Sequence, residues 1–406
     1  MIKQVKRKRE LGKSEQFNLS QLEKAMLTHY EASKHPIYEE AVEKLRLKIG
    51  GGLCDSIAKE LFEGHTPKFA GLDGIRCNFT FIDLFAGIGG FRMALQNLGG
   101  QCLFSSEYDK YAQQTYFANY GEVPFGDITR EETKAFIPPK FDLLCGGFPC
   151  QPFSIAGVSK KNSLGRKHGF ADEKQGNLFF HVAEIINRHK PKAFYLENVK
   201  NLVSHDKGNT FRVIRNTLLD LGYSFDFRIL NGKHFVPQNR ERTLMVGFNK
   251  GIFGKDISFD FNQVDIPCVQ HQISSILMPD VDRKYTLSDQ LWAFLQQHAS
   301  KHKAKGNGFG FGLVDLNGVT RTISARYYKD GSEILIPQEG KNPRRLTPSE
   351  CAALQGFPIF PINTGHGERS FVIPVSDHQA YKQFGNSVVT TLIEAVGREV
   401  VKVMKG

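Results

Sequence analysis

The sequence predicts an α/β protein: a largely parallel β-sheet with helices on both faces, a helical unit before it, and a smaller irregular domain inserted into it. Three observations predict this class. From residue 79 onward, short apolar runs alternate with stretches of helical periodicity, the pattern of successive βαβ units. Residues 1–76 carry helical spacing alone. Between 251 and 343 the alternation dissolves into a stretch rich in Gly, Lys, His and Asn, and it returns over 344–406. The expected units are 1–76, 77–250, 251–343 and 344–406, the last completing the domain begun at 77.

In the first unit Leu19, Leu22, Ala25 and Met26 have helical spacing, "YEEAVEKLRLKI" repeats the pattern, and "GGGL" breaks it. Five of the first nine residues are Lys or Arg, which fits a DNA-binding or regulatory arm. A solvated tail with a small helical pair packed on the main domain is the plainer reading and is preferred. In the main domain "FTFIDLF" reads as a strand, "AGIGG" as a turn and "FRMALQNLG" as a helix. "QCLFSSE" is a second strand and "YAQQTYFANY" a helix; "FDLLC" and "KAFYLEN" are further strands. "GNTFRVIRNTLLDLG" is a helix, and "YSFDFRIL" and "RTLMVGF" close the sheet as a hairpin. In the irregular domain "TRTISARYY" and "EILI" are strand-like. A C-terminal helix after "QFGNS" presents Val388, Leu392, Ala395 and Val396 on one face.

Composition narrows the functional classes. Forty per cent hydrophobic and 23% charged residues are ordinary for a globular chain. There is no apolar run of about 18 residues, so no membrane span is expected. The basic start "MIKQVKRKRE" is followed by no apolar stretch, so it is not a secretory signal. Seven scattered cysteines do not form a disulfide framework and are read as reduced thiols in the cytoplasm. The net charge of +11 favours an anionic partner, nucleic acid first, with plain solubility as the alternative.

Chemistry-bearing residues cluster at strand ends. Gly87, Gly89 and Gly90 sit between a strand and a helix, where a turn lets the backbone approach a ligand, although Arg92 stands where a third glycine of a dinucleotide fingerprint would be. Glu107 ends the second strand, as an acid that binds ribose hydroxyls would. Asp127 follows the next strand-like stretch and is placed to accept from an adenine amino group. Taken singly, each acid is equally a helix cap or surface charge; the three features in order fit a cofactor carrying adenosine. Cys150 follows a strand, two glycines and Pro149 at the rim where ligands bind in such sheets; it is a nucleophile if its thiolate is stabilised, and otherwise a packed loop cysteine. Cys145 and Cys150 are not a C-x-x-C pair, and no second pair exists for zinc, so no metal site is expected. Cys145 reads as a core residue. Glu197, ending the next strand, belongs on the same rim as Cys150, which suggests group transfer to a bound substrate.

"DLFAGIGGF", "GGFPCQPFS", "LENV", "VPQNRER", "RRLTPSECAALQGFP" and "YKQFGNSVV" occur in the order seen in DNA cytosine-5 methyltransferases, and over residues 79–404 the chain resembles that family, in its bacterial restriction-modification or Dcm-like type. The resemblance implies a Rossmann-like S-adenosylmethionine-dependent sheet with a target-recognition domain at 251–343. It implies that Cys150 adds to C6 of a flipped cytosine, that Glu197 holds N3, and that Arg240 and Arg242 position the ring. It assigns Phe85, Gly87, Gly89, Gly90, Glu107, Tyr108, Asp109, Asp127, Ile128, Gly147, Pro149, Leu178, Asn386 and Ser387 to the S-adenosylmethionine pocket, with Asn386 and Ser387 starting the last helix. Gln151, Ser154, Arg166 and Lys167 belong to a lid-like stretch over DNA. Arg321, Arg326 and Lys329 are candidates for DNA contact, reading bases or holding phosphates. The implied partner is double-stranded DNA, at a CCNGG or CC(A/T)GG-type site, with a functionally paired restriction endonuclease and a monomeric enzyme. An RNA cytosine-5 methyltransferase is the rival enzyme, against which the ninety-residue recognition region argues. A transcriptional regulator on the same scaffold is the rival binder, against which Cys150 and Glu197 argue.

Overall fold

Six strands form the central sheet of the computed structural model, which describes residues 19–62, 69, 77–149, 178–306, 310–329, 331–359, 362–363 and 368–406. They are β1 (Phe79–Leu84), β2 (Gly100–Ser106), β3 (Leu143–Gly147), β4 (Ala193–Val199), β5 (Asp226–Asn231) and β6 (Glu241–Phe248), in the spatial order β2-β1-β3-β4-β6-β5. The first four run parallel; β6 is antiparallel to β4 and to β5, so the expected hairpin closes the edge. The chain leaves β1 toward β2 on one side and returns to β3 on the other. That reversal opens a crevice beyond the carboxyl ends of β1 and β3, where such sheets bind ligands.

Period two divides the strand residues between two cores. Phe79, Phe81, Leu143, Cys145 and Tyr195 face one side. There they meet α4 (Gly90–Asn97) and the C-terminal helix α11 (Thr390–Lys405), whose Leu392, Ile393, Val396, Val400 and Met404 are buried. Ile82, Leu84, Leu144, Phe194 and Leu196 face the other side, against α6 (Leu178–His189) and α7 (Asn209–Asp220). Burial of both faces explains why these strands read as near-continuous apolar runs.

The N-terminal residues join that second core. Helix α1 (Gln21–Ser33) starts at a capping box in which Ser20 and Glu23 satisfy each other's backbone N–H groups, and α2 (Pro36–Ile49) starts on a proline. Among the described residues the expected helical pair is a trio. Gly50 adopts φ 88° and ends α2, yet α3 (Gly51–Phe62) starts at once. Packing of Cys54, Ile57 and Leu61 on the core outweighs the poor helix propensity of two leading glycines. The unit continues the main core: Ala25, Leu27, Tyr38 and Leu45 share one apolar cluster with Phe104 and Phe125.

Two other expectations are corrected. "TRTISARYY" makes no strand beyond one bridge between Thr320 and Gln238. Its backbone groups are taken instead by Pro237, Asn239 and the Gln238 side chain, and Ser324 Oγ turns the chain by accepting from Arg326 N. The irregular region also contains α8 (Asp289–Ala304), capped by Ser288; among its residues only Leu295 is buried, so it has no wide apolar face to announce it. Near its end, "EILI" contributes Ile336 to β7 (Ile336–Gln338), which pairs with β8 (Lys341–Arg344). After α9 (Pro348–Ala353), Asn386 ends helix α10 (Asp377–Asn386) and Ser387 caps it, so these two residues do not start the last helix. Ser387 and Val389 are extended, α11 begins at Thr390, and Arg240 donates to the carbonyls of Gly385 and Ser387 at this break.

Candidate active site

The glycine turn after β1 is built from left-handed backbone: Phe85 φ 55°, Gly87 φ 56° and Gly89 φ 85°. At Gly89 glycine is obligatory for a second reason, because an added Cβ would lie 2.2 Å from the Tyr120 ring. Gly89 therefore packs on Tyr120, whose hydroxyl donates to its carbonyl, while Gly87 and Gly90 line the crevice. Phe85 lines it too.

Glu107 follows β2. It accepts from Gly87 N at 2.8 Å and from Asp109 N at 2.7 Å, which ties the glycine turn to the end of the next strand. Burial raises its pKa, against those backbone bonds. Asp109 caps α5 (Lys110–Tyr120) by accepting from Tyr111 N and Ala112 N, and it pairs with Lys382 Nζ at 2.7 Å. Burial works to raise the Asp109 carboxyl, but the bonds from Lys382, Ala112 and Tyr111 outweigh it and hold it below the usual range. Asp127 accepts from the backbone and hydroxyl of Thr129 at 2.9 and 2.8 Å, beside buried Ile128; Tyr108 is exposed on the wall.

On the far side, β3 and β4 are in register with Gly147 opposite Glu197. Glu197 Oε1 lies 2.9 Å from Arg242 Nε, and Glu197 is 8% exposed. Burial raises its pKa, opposed by Arg242 and then Arg240. Arg240 is buried, and among the described residues no carboxylate pairs with it. Its guanidinium donates to the carbonyls of Ile323, Gly385 and Ser387. Burial, and next the neighbouring Arg242, lower its pKa to about 9.

These residues line one continuous cleft. Its inner part holds Phe85, Gly87, Gly90, Glu107, Asp109, Gly147, Glu197, Asn386 and Ser387. Its outer part shares Phe85, Gly87, Glu107, Gly147, Glu197 and Asn386 and adds Tyr108, Asp127, Ile128, Pro149, Leu178, Arg240 and Arg242. The outer part opens to solvent and spans about 1590 Å³ when the space at its mouth is included. Cys150, Gln151, Ser154, Arg166 and Lys167 lie outside the described residues, immediately after Pro149 and before Leu178. Arg321, Arg326 and Lys329 are exposed on the segment anchored by Thr320 N to Pro237 O and by Thr322 Oγ1 to Asn239 O. That segment docks on the "QNRER" loop that carries Arg240.

Lys382, Gln383 and Asn198 are among the cleft residues that the sequence reading did not assign. Lys382 and Gln383 lie inside "YKQFGNSVV", one turn before Asn386, a spacing that puts them on the same helical face. Asn198, the neighbour of Glu197, donates from Nδ2 to Phe148 O at 2.8 Å and so holds the chain just before Pro149.

Comparison with known proteins bears on what this cleft does. The model of the C-5 cytosine-specific DNA methylase family matches residues 79–402. The chain is 47% identical to the DNA-cytosine methyltransferase of Escherichia coli (strain K12), over 82% of this chain and 78% of that protein. It is 49% identical to Type II methyltransferase M.DsaV of Dactylococcopsis salina, over 79% and 85% of the two chains. Identity to Type II methyltransferase M.HpaII of Haemophilus parainfluenzae is 47%, over 81% and 90%. Among solved structures, the Entamoeba histolytica methyltransferase EhMeth has TM-score 0.57 at 19% identity, over 81% of this chain and 99% of that one, a likeness of fold. The chain belongs to the C-5 cytosine-specific DNA methylase family, and is by that membership a cytosine-C5 DNA methyltransferase.

Proposed function

We propose that this enzyme methylates a cytosine flipped out of double-stranded DNA, through a covalent bond between Cys150 and C6, at a CCNGG or CC(A/T)GG-type site, and that it thereby protects DNA from a paired restriction endonuclease. The supporting observation is the position of Glu197: a buried carboxyl, paired with Arg242, in the same cleft as Glu107 and Asp127.

The residues present fit S-adenosylmethionine. Ser106 Oγ and Gln383 Nε2 are buried without a hydrogen-bond partner among the described residues, and both belong to residues lining the cleft. Such atoms suit a pocket completed by a polar ligand. In this reading Glu107 holds the ribose hydroxyls, Asp127 the adenine amino group, and Phe85 and Ile128 flank the ring. Gly147, Pro149, Leu178, Asn386 and Ser387 shape the remainder. When bound, S-adenosylmethionine supplies the methyl group.

Cytosine C5 is a poor nucleophile until C6 carries a bond. The Cys150 thiolate forms that bond, and the C5–C6 electron pair becomes available at C5. Glu197 acts on the base at N3: burial raises its pKa, so it can donate a proton there, and Arg242 keeps its carboxyl oriented. Once C5 is methylated, its proton leaves to solvent, the C6–S bond breaks to release the thiolate, and the N3 proton returns to the Glu197 carboxylate, which restores the ring. Flipping the base costs a few kcal/mol, which contacts along the DNA must offset.

A duplex with 5-fluorocytosine at the target position tests the covalent step. Fluorine does not leave as a cation, so the adduct persists. The wild-type chain with S-adenosylmethionine should migrate with DNA on a denaturing gel, and Cys150→Ala should not. Wild-type protein that methylates ordinary duplex but traps none of the fluorinated one would contradict the covalent route; preference for tRNA over duplex would contradict the substrate.

A further inference from the structure

We propose that the N-terminal helical unit is a working part of the cofactor pocket, with Gln21, Thr28 and His29 as positioning residues that act through Phe125; the proposal rests on the reading that the cleft binds S-adenosylmethionine. Phe125 is the hinge point between the two acids of that pocket. Its N–H donates to Ser105 O at 2.8 Å and its carbonyl accepts from Glu107 N at 2.9 Å, while Asp127 lies two residues on. Its ring is fully buried. Phe104 and Phe136 of the catalytic domain stack with it at 4.9 and 5.1 Å. His29 and Tyr38 of the N-terminal unit contact it at 4.8 and 5.8 Å, Tyr38 in stacked orientation.

The backbone around Phe125 is held from the same side. Thr28 Oγ1 accepts from Val123 N at 2.9 Å. Gln21 Nε2 donates to Pro124 O at 2.8 Å. Glu122 is clamped by Arg92 at 2.7 and 2.9 Å, and His29 Nε2 lies 3.4 Å from its Oε2. Arg92 belongs to the helix that follows the glycine turn. Residues 122–125 therefore each meet the N-terminal unit, and they have no regular secondary structure apart from the bridge between Phe125 and Ser106. A segment of this kind takes its geometry from side-chain bonds. Without Thr28 and Gln21, Val123 N and Pro124 O lose the partners that fix the approach to Asp127.

The consequence is a defined coupling. Disturbing the interface should weaken cofactor binding and leave DNA binding and the chemical step nearly intact. The test compares full-length wild type with Gln21→Ala/Thr28→Val, His29→Leu, Arg46→Ala and Glu107→Ala. Arg46 pairs with Glu43 and Asp55 inside the same unit, away from the loop, and serves as the control for general loosening. Affinity for S-adenosylmethionine is read by calorimetry, affinity for duplex DNA by anisotropy, and KM and kcat by methyl transfer, at a temperature where circular dichroism shows every variant folded.

The proposal expects the double variant to bind S-adenosylmethionine about tenfold more weakly, the consequence of two lost hydrogen bonds. KM for it should rise in parallel, with kcat and DNA affinity changed less than about twofold, and Arg46→Ala should match wild type. Unchanged affinity in both the double variant and His29→Leu, while Glu107→Ala loses binding, overturns the positioning role alone. An equal loss in Arg46→Ala overturns it as well, because the effect is then general. Binding that survives in Glu107→Ala overturns the cofactor reading beneath it.

Discussion

Glu197 meets two demands with one environment. Removed from water, its carboxyl favours the protonated form; beside Arg242 it keeps a fixed direction. Glu197→Gln keeps the shape and a donor at N3 but removes the exchangeable proton. Methyl transfer should fall about 100-fold or more, with S-adenosylmethionine affinity retained. If donation from Glu197 limits the rate, kcat/KM declines as pH rises through its raised pKa, and that decline disappears in the Gln variant; an identical profile in both would count against the role. Asp83 gives a separate pH prediction, for stability. Burial raises its carboxyl from 3.8 to about 8, and its Oδ2 has no partner among the described residues. A carboxyl whose folded pKa lies above its unfolded one binds more protons in the folded state across that window. Its contribution to stability is therefore full below about pH 4 and declines as pH rises toward 8. Asp83→Asn should flatten the denaturation midpoint against pH between 5 and 8; an unaltered slope would show that Asp83 is ionised in the fold.

At the scale of elements, the glycine turn shows how backbone conformation sets the site. Gly89→Ala meets both a left-handed φ and the Tyr120 ring, so a loss of about 2 kcal/mol or more is expected in urea unfolding. A variant as stable as wild type would mean that the turn relaxes freely. The same scale shows what the sequence discloses. The six strands were legible because burial on both faces leaves apolar runs of the right length between helical stretches. The rim acids were legible because Glu107 and Glu197 stand at strand ends, while Asp127 follows a strand-like run that makes only one bridge, at Phe125. Helix α8 was not, since a helix buried along one residue leaves no periodic signal. "TRTISARYY" misled because β-branched and aromatic residues favour strands only where a ladder is free to accept them. Here Pro237, Gln238, Asn239 and Arg240 take those backbone groups. Arg240 itself illustrates the limit: its place in a motif was visible, but its three carbonyl partners come from 83 to 147 residues away.

For the whole molecule, the sheet carries the cleft, the N-terminal helices pack on residues 122–125 beside it, and the inserted region packs on the loop that carries Arg240. The segment carrying Arg321, Arg326 and Lys329, the proposed DNA contacts, is docked on the loop that carries Arg240. Substitution of Arg321 or Arg326 should lower duplex affinity. A reader of base edges would also relax sequence preference, whereas a phosphate contact would reduce only the salt dependence. Described helices include none long and apolar enough to cross a membrane. We propose that the chain places a methyl group on C5 of cytosine in duplex DNA through Cys150. Bisulfite sequencing of DNA from cells expressing either the wild type or Cys150→Ala tests it most directly. Protected cytosines should recur at one CCNGG or CC(A/T)GG-type sequence with the wild type and should be absent with the variant. No protected cytosine with a folded, cofactor-binding wild type, or equal protection with Cys150→Ala, would contradict it.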